Sequence, residues 1–164
     1  MDLELIERDG SAERIILRHT KSAMLRGAIP VPFLDLAFVS AVHVDLLMEL
    51  ARVYQVELEG RIARTVATSV TGAVAGLTVA RISASLVKAL PFGWTTGALT
   101  QVLVSGATTY ALGRLVKRLF RENRPLEELD LRLIGDELKE NFTAGLLTAR
   151  KLLAQVKSLP GPRR

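Results

Sequence analysis

The chain contains no cysteine. Disulfides, thiolate nucleophiles and cysteine metal sites are therefore excluded, and the absence fits a reducing compartment. Aromatic residues make up only 5% of the 164 positions, which leaves few rings to stack on bases. We therefore expect no nucleic-acid partner despite the formal charge of +5. The first ten residues are acidic where a secretory signal would be basic, so we expect no such signal.

Charge is missing from two long stretches, residues 65–80 and 89–113, which are rich in glycine, alanine, serine and threonine. This composition suits helices that approach each other backbone to backbone, as membrane-embedded pairs do. Positive charge flanks the stretches, because residues 61–124 hold nine bases and one acid. Such a pattern is typical of apolar segments with cationic anchors. Against a true span, residues 65–80 fall short of the roughly 20 that a bilayer requires.

The hydrophobic periodicity predicts an all-α fold of about five helices, because no segment alternates as a strand does. We expect a single helical domain over residues 11–157, an acidic N-terminal segment over 1–10, and a tail over 158–164. Ser11 is the candidate N-cap of the first helix. The predicted helices cover about 11–27, 33–55, 59–89, 95–122 and 126–156. A proline–glycine turn near Pro91 separates the third helix from the fourth.

Small residues recur on one side of both the third and the fourth helix. We therefore predict that these helices form a central glycine-rich antiparallel hairpin, residues 62–116, which either inserts into a membrane or packs in a soluble core. Gly76→Leu on this ridge should then be more damaging than Val70→Leu beside it. The predicted helix-packing ridge consists of Gly72, Gly76, Ala80, Gly106 and Gly113.

The end of the fourth helix carries a cluster of bases, which we call the basic face. We predict that it contacts anionic lipid or a protein partner, and the alternative is a solvated face without a partner. The basic face consists of Arg114, Lys117, Arg118, Arg121 and Arg124.

The sequence offers no catalytic constellation. There is no phosphate-cradling glycine loop with a lysine and no nucleophile elbow. His19 and His43 lie among apolar residues, where a packed, hydrogen-bonded histidine is expected rather than a metal ligand. The acids between Glu127 and Glu140 suit a solvated helix start. We expect no enzyme, no metal and no cofactor.

The segment AIPVPFLDLAFVSAVHVDLLMELARVY resembles the opening of the bacterial YcjF-like domain of unknown function. The matching positions are Pro30, Pro32, Asp35 and Tyr54, and a similar later pattern runs from Pro91 to Arg118. Gln55 stands where that domain usually has glycine, which suggests that the second helix runs on rather than turning.

That domain occurs alone, in inner-membrane proteins, or fused after an Era-like small GTPase domain. The resemblance therefore implies membrane or GTPase association and brings no established catalytic residues. The leading interpretation is a non-catalytic, membrane-associated helical protein that docks a partner such as a small GTPase. We expect it at the bacterial inner membrane, with cytoplasmic termini and as a homo-oligomer. The alternative is a soluble, cytoplasmic, self-associating helical scaffold.

Overall fold

Five α-helices make up the part of the chain that the computed structural model describes, residues 2–26, 34–85, 93–126 and 135–157. They are α1 (Asp2–Arg26), α2 (Leu34–Tyr54), α3 (Gly60–Ser85), α4 (Gly93–Arg121) and α5 (Gly135–Lys157). No strand occurs among these residues. The predicted all-α fold is thereby confirmed. The turn predicted at Pro91 lies outside the described residues, as does 127–134, where the last helix was expected to begin.

The first helix begins earlier than the sequence suggested. α1 starts at Asp2 and continues through Gly10, so residues 2–10 of the acidic segment are helical and Ser11 is not the cap of α1. Acidic residues in the first turns are favourable next to the helix dipole. Arg8 also donates to Glu4 one turn away, at 2.6 Å, a spacing that supports helix.

The second helix ends just before the position where the YcjF-like domain usually has glycine and this chain has Gln55. Gln55 takes a left-handed conformation with φ of 57°. Its N–H donates to the carbonyl of Arg52, and the N–H of Val56 donates to that of Ala51. This pair of bonds is the Schellman motif, which usually places glycine at the left-handed position. The suggestion that α2 runs on past Tyr54 was therefore wrong. The same motif ends α4, with Asn123 at φ of 56°.

Neighbouring helices along the chain run antiparallel, so α1, α3 and α5 point one way and α2 and α4 the other. We call the end where α1, α3 and α5 finish the upper end, and the opposite end the lower end. Contacts between pairs of helices fix this arrangement. For α1 and α2 they are Asp9 with Tyr54 and Arg18 with Glu49, and for α1 and α4 they are Ile16 with Gly113 and Met24 with Gly106. For α2 and α3 the contact is His43 with Thr71, and for α4 and α5 the contacts are Arg118 with Glu137 and Ala107 with Gly145.

The core lies around α2, whose interior is apolar on most sides. Leu46, Leu47 and Leu50 are fully buried, and each contributes about 1.5–3 kcal/mol relative to an exposed side chain. Ile16 of α1 and Leu112 of α4 join the same cluster. The helix is enclosed by α1, α3 and α4. Its one narrow polar stripe consists of Asp45, Glu49 and Arg52.

The predicted hairpin of α3 with α4 is not shown by the described residues. Within the described residues α3 packs chiefly on α2 and touches α4 only slightly, whereas α4 packs on α5 and α1. The physical reason is that the small residues of α4 make room for other helices. A Cβ on Gly106 would lie 2.6 Å from Met24 Cγ on α1 and 3.2 Å from Ala149 Cβ on α5. No helix in the described ranges is long and apolar enough to cross a membrane.

Candidate functional site

The basic face of α4 is covered by the N-terminal half of α1. Lys117 Nζ lies 2.9 Å from Glu13 Oε1 and 3.9 Å from Asp9 Oδ1. Arg114 donates to the same Glu13 oxygen, and Arg121 Nη1 lies 3.4 Å from Asp9 Oδ2. Two carboxylates thus serve three cations, and the helices α1 and α4 are joined by charge along one edge.

The remaining two bases of this face find acids nearer to them. Arg118 donates to Glu122 at 2.9 Å and to Glu137 of α5 at 2.7 Å, and these bonds raise its pKa. Arg124 lies 3.8 Å from Glu122. The hydrogen bond from Arg118 also lowers the pKa of Glu122. Exposed ion pairs are screened by solvent and contribute little to stability, so these pairs mainly orient the helix ends.

Tyr54, one of the family-motif positions, closes the same cluster from α2. Its hydroxyl donates to Asp9 Oδ1 at 2.6 Å. Burial raises the pKa of Tyr54, and the bond to Asp9 raises it further. The ring also packs on Phe120 of α4, with centroids 6.3 Å apart. Tyr54 therefore ties α1, α2 and α4 together beside the turn at residue 55.

The other motif positions are less informative. Asp35 is the second residue of α2, which suits a carboxylate near the positive end of the helix dipole. Pro30 and Pro32 lie outside the described residues. For the ridge positions Gly76 and Ala80 the structure describes the helical backbone but not the surroundings.

A polar cluster lies in the middle of the apolar core. His43 of α2 is fully buried. Its Nδ1 lies 2.9 Å from Thr71 Oγ1 of α3, and its Nε2 lies 3.0 Å from Thr109 Oγ1 of α4. One imidazole therefore bridges three helices. The expectation of a packed, hydrogen-bonded histidine is confirmed, although the sequence did not identify its partners.

The hydrogen bonds of this cluster accommodate a neutral ring, and burial favours that state. A neutral imidazole has one N–H and one lone pair, and each threonine has one proton to give. Both hydroxyls also lie near the carbonyl one turn back, Thr71 at 2.7 Å and Thr109 at 2.8 Å. The threonine that faces the N–H accepts and keeps its backbone bond, while the other donates to the ring. Burial lowers the pKa of His43 to about 4, with a smaller contribution from His19.

His19 is the second buried imidazole. Its Nε2 lies 3.4 Å from Glu49 Oε2, within ion-pair distance. The geometry is too poor for a hydrogen bond, so this nitrogen is the one buried side-chain atom without such a partner in the described residues. Arg18 donates to the same Glu49 oxygen. The Glu49 carboxylate on the polar stripe of α2 is therefore used to hold α1, while Asp45 and Arg52 are exposed.

The small residues fall into two groups. A Cβ added to Gly113 would lie 2.7 Å from Ile16 Cγ1 of α1. A Cβ added to Gly145 of α5 would lie 2.6 Å from the backbone oxygen of Ala107. Gly72 has nothing within 4 Å of that position and is exposed. The close approach made possible by glycine thus joins α4 to α1 and α5. Gly145 was not among the predicted packing positions, because its role depends on the neighbouring helix.

The described residues contain no group of three or more His, Cys, Asp or Glu side chains that could hold a metal. The buried side chains of His43, Thr71 and Thr109 bond helices to one another. The described arrangement can therefore position helices and present charge.

Comparison with known proteins extends this picture. The chain is 28% identical over 152 residues to magnetosome membrane protein 22 of Magnetospirillum gryphiswaldense, covering 92% of this chain and 78% of that protein. No solved structure matches the chain. Residues 2–145 match the family described as Domain of unknown function (DUF697), a description that names no activity. Because this match includes four of the five helices and the beginning of α5, the chain belongs to the DUF697 family.

Proposed function

We propose that this chain is a membrane-associated helical protein without catalytic activity that docks a partner. The observation that carries the proposal is its similarity, over 92% of its length, to a protein named as a magnetosome membrane protein. The uncharged stretches at residues 65–80 and 89–113 support it, because such composition is disfavoured on a water-facing helix. The buried cluster around His43 fits a structural role, since its polar atoms all bond helices.

Cell fractionation tests membrane association. The full chain is expressed in a bacterium, and lysates are separated into membrane pellet and supernatant, with a cytosolic enzyme and an integral membrane protein as markers. We expect the chain in the pellet after a wash that removes loosely held protein. Recovery of the chain with the cytosolic marker at low salt would contradict the proposal.

The partner is a separate proposal. The resemblance to the YcjF-like domain points to a small GTPase, and we place the protein at the inner membrane with both termini in the cytoplasm. Co-purification from the native cell should recover a GTPase, and a reporter fused after residue 164 should be active on the cytoplasmic side. A preparation without a GTPase would contradict the proposed partner. A reporter active only outside the cytoplasm would contradict the proposed orientation.

The second candidate function is a soluble, self-associating scaffold. It is favoured by the finding that no helix of the described ranges could span a membrane. The outer side of α3 also exposes small residues, including Thr65, Thr68, Ser69 and Gly72, which a second copy could approach closely. Light scattering on the purified chain tests it. A defined oligomer together with absence from membranes supports the scaffold, and a monomer contradicts it.

A further inference from the structure

Charge is divided unevenly between the two ends of the bundle. The plane through His43, Thr71 and Thr109 separates an upper half (described residues 20–26, 34–42, 72–85, 93–108 and 145–157) from a lower half. The upper half holds six bases and one acid, whereas the lower half holds twelve bases and thirteen acids. The net charge is therefore +5 above the plane and −1 below it.

Four bases of the upper half have no acidic partner among the described residues. Lys21, Arg26, Arg150 and Lys151 are exposed, and no acidic side chain in the described part of the chain forms an ion pair with them. The basic face of α4 is different, since its cations meet acids such as Asp9, Glu13 and Glu137. An anionic surface would therefore meet available charge at the upper end, while it would have to displace existing partners at the basic face.

Apolar surface accompanies this charge. Leu25, Leu99 and Leu147 of the upper half are 72%, 41% and 56% exposed. A surface that combines bases with apolar side chains suits the boundary of an anionic bilayer, where both kinds of side chain are stabilised. Exposed Leu3 and Ile6 of the lower end are also apolar. Their neighbours Glu4 and Glu7 would be repelled by anionic lipid.

We propose that the upper end of the bundle docks end-on to an anionic lipid bilayer, with its bases against the headgroups and its leucines at the acyl boundary. The proposal rests on membrane association as the function and adds the surface and the lipid charge. Each base near an anionic surface raises the partition coefficient of the protein onto the membrane about fivefold. The basic face of α4 then serves the fold, and the upper end serves the membrane.

Charge reversal on the full chain tests the electrostatic part. Vesicles of phosphatidylcholine with about 30% phosphatidylglycerol, which supplies the negative surface potential, are sedimented with the protein. Lys21→Glu with Arg26→Glu should lower binding at least about tenfold. The matched control, Arg61→Glu with Arg64→Glu, changes the same charge on exposed bases at the lower end and should change binding less than about twofold. Equal losses in the two variants overturn the proposal, and circular dichroism confirms that both remain helical.

The orientation can be read from the protein's own fluorescence. Trp94 is the only tryptophan and the second residue of α4, at the upper end. Lipids brominated near the glycerol should quench it in anionic vesicles. In the variant Leu3→Trp with Trp94→Phe the probe is at the lower end and should be quenched at most weakly. Stronger quenching of the lower probe overturns the proposal while leaving membrane association intact.

Three further outcomes also decide against it. If the chain binds neutral phosphatidylcholine as well as anionic vesicles, the bases are not the recognition element. If a short DNA duplex at equal phosphate concentration removes the protein from the vesicles, the upper end is a general polyanion site rather than a lipid one. Failure to bind any vesicle overturns the docking surface, whereas fractionation of cells decides separately whether the protein is membrane-associated.

Discussion

His43 and Thr109 are joined across the core, from α2 to α4, by a 3.0 Å contact between the ring Nε2 and the hydroxyl Oγ1. Together with the contact to Thr71 on α3, it places a polar bridge among three helices whose other buried contacts are mostly apolar. A buried polar group is costly when it loses its partner. The bridge therefore fixes which faces of α2, α3 and α4 meet.

Thr109→Val should destabilise the protein by about 1–3 kcal/mol, because it leaves a buried ring nitrogen without a partner. Thr108→Val is the matched control. Thr108 is also buried on α4, but its hydroxyl donates only to the Val104 carbonyl one turn back, at 2.8 Å. Urea denaturation of both variants measures the difference. A loss for Thr108→Val as large as that for Thr109→Val would show that the bridge contributes nothing specific.

The neutral state of His43 predicts a pH dependence. Its pKa is lowered to about 4 in the fold, while the unfolded chain takes up a proton near 6.5. Stability from this group is therefore complete above about pH 6.5 and is lost as the pH falls toward about 4, by about 3 kcal/mol in all.

Other groups titrate in this range, so the measurement is a difference. Unfolding free energies of wild type and His43→Gln are compared at several pH values from 7 down to about 4. The gap between the two should narrow as the pH falls. A gap that stays constant would mean that His43 is not held neutral by the fold.

The left-handed residue at the end of α2 offers a stabilising change. Gln55 has φ of 57°, a region in which a side chain costs about 1 kcal/mol and glycine costs little. Gln55→Gly should therefore raise stability by about 0.5–1 kcal/mol. Asn123→Gly at the end of α4 should gain less, because asparagine tolerates this conformation. Thermal denaturation compares the two variants. A loss of stability in Gln55→Gly would contradict the left-handed conformation assigned to residue 55 at the end of α2.

The packing glycines can be separated from the open one. A Cβ at position 145 would lie 2.6 Å from the carbonyl oxygen of Ala107, which is backbone and cannot move aside. Gly145→Ala should cost about 1–3 kcal/mol as overpacking. Gly72→Ala, with open space around it, should gain roughly 0.5–1 kcal/mol from helix propensity. If the signs of these two effects are reversed, the close contact of α4 with α5 is wrong.

Much of the fold could be predicted from the sequence because it follows from periodicity. The bounds of α2 and α4 were found to within two residues, since apolar spacing marks them. The start of α1 was missed because Gly10 and Ser11 have the chemistry of a boundary. In the structure Asp9 contacts Tyr54 and Lys117, and the helix continues through both residues. The end of α2 was predicted wrongly at Gln55 for a related reason. The tertiary contacts of Tyr54 hold a turn for which the sequence would be expected to use glycine.

The pairing of helices could not be predicted in the same way. Small residues on α3 and α4 indicated two smooth faces, and the sequence alone could not say which neighbour each face meets. In the structure Gly106 and Gly113 receive Met24 and Ile16 of α1. The basic face shows the same limit, because its partners Asp9 and Glu13 are about a hundred residues away in the chain. Its contact with anionic lipid or a protein partner stays a prediction, and such a contact would have to displace these ion pairs.

The central claim, membrane association, is tested most directly by flotation of the purified full chain with vesicles made from bacterial inner-membrane lipid. The protein is mixed with vesicles at the bottom of a density gradient and centrifuged. We predict that most of the chain rises with the lipid at physiological salt and that less rises at high salt. A chain that stays at the bottom as a defined oligomer, with folded helices and intact vesicles above it, would contradict the account and favour the soluble scaffold.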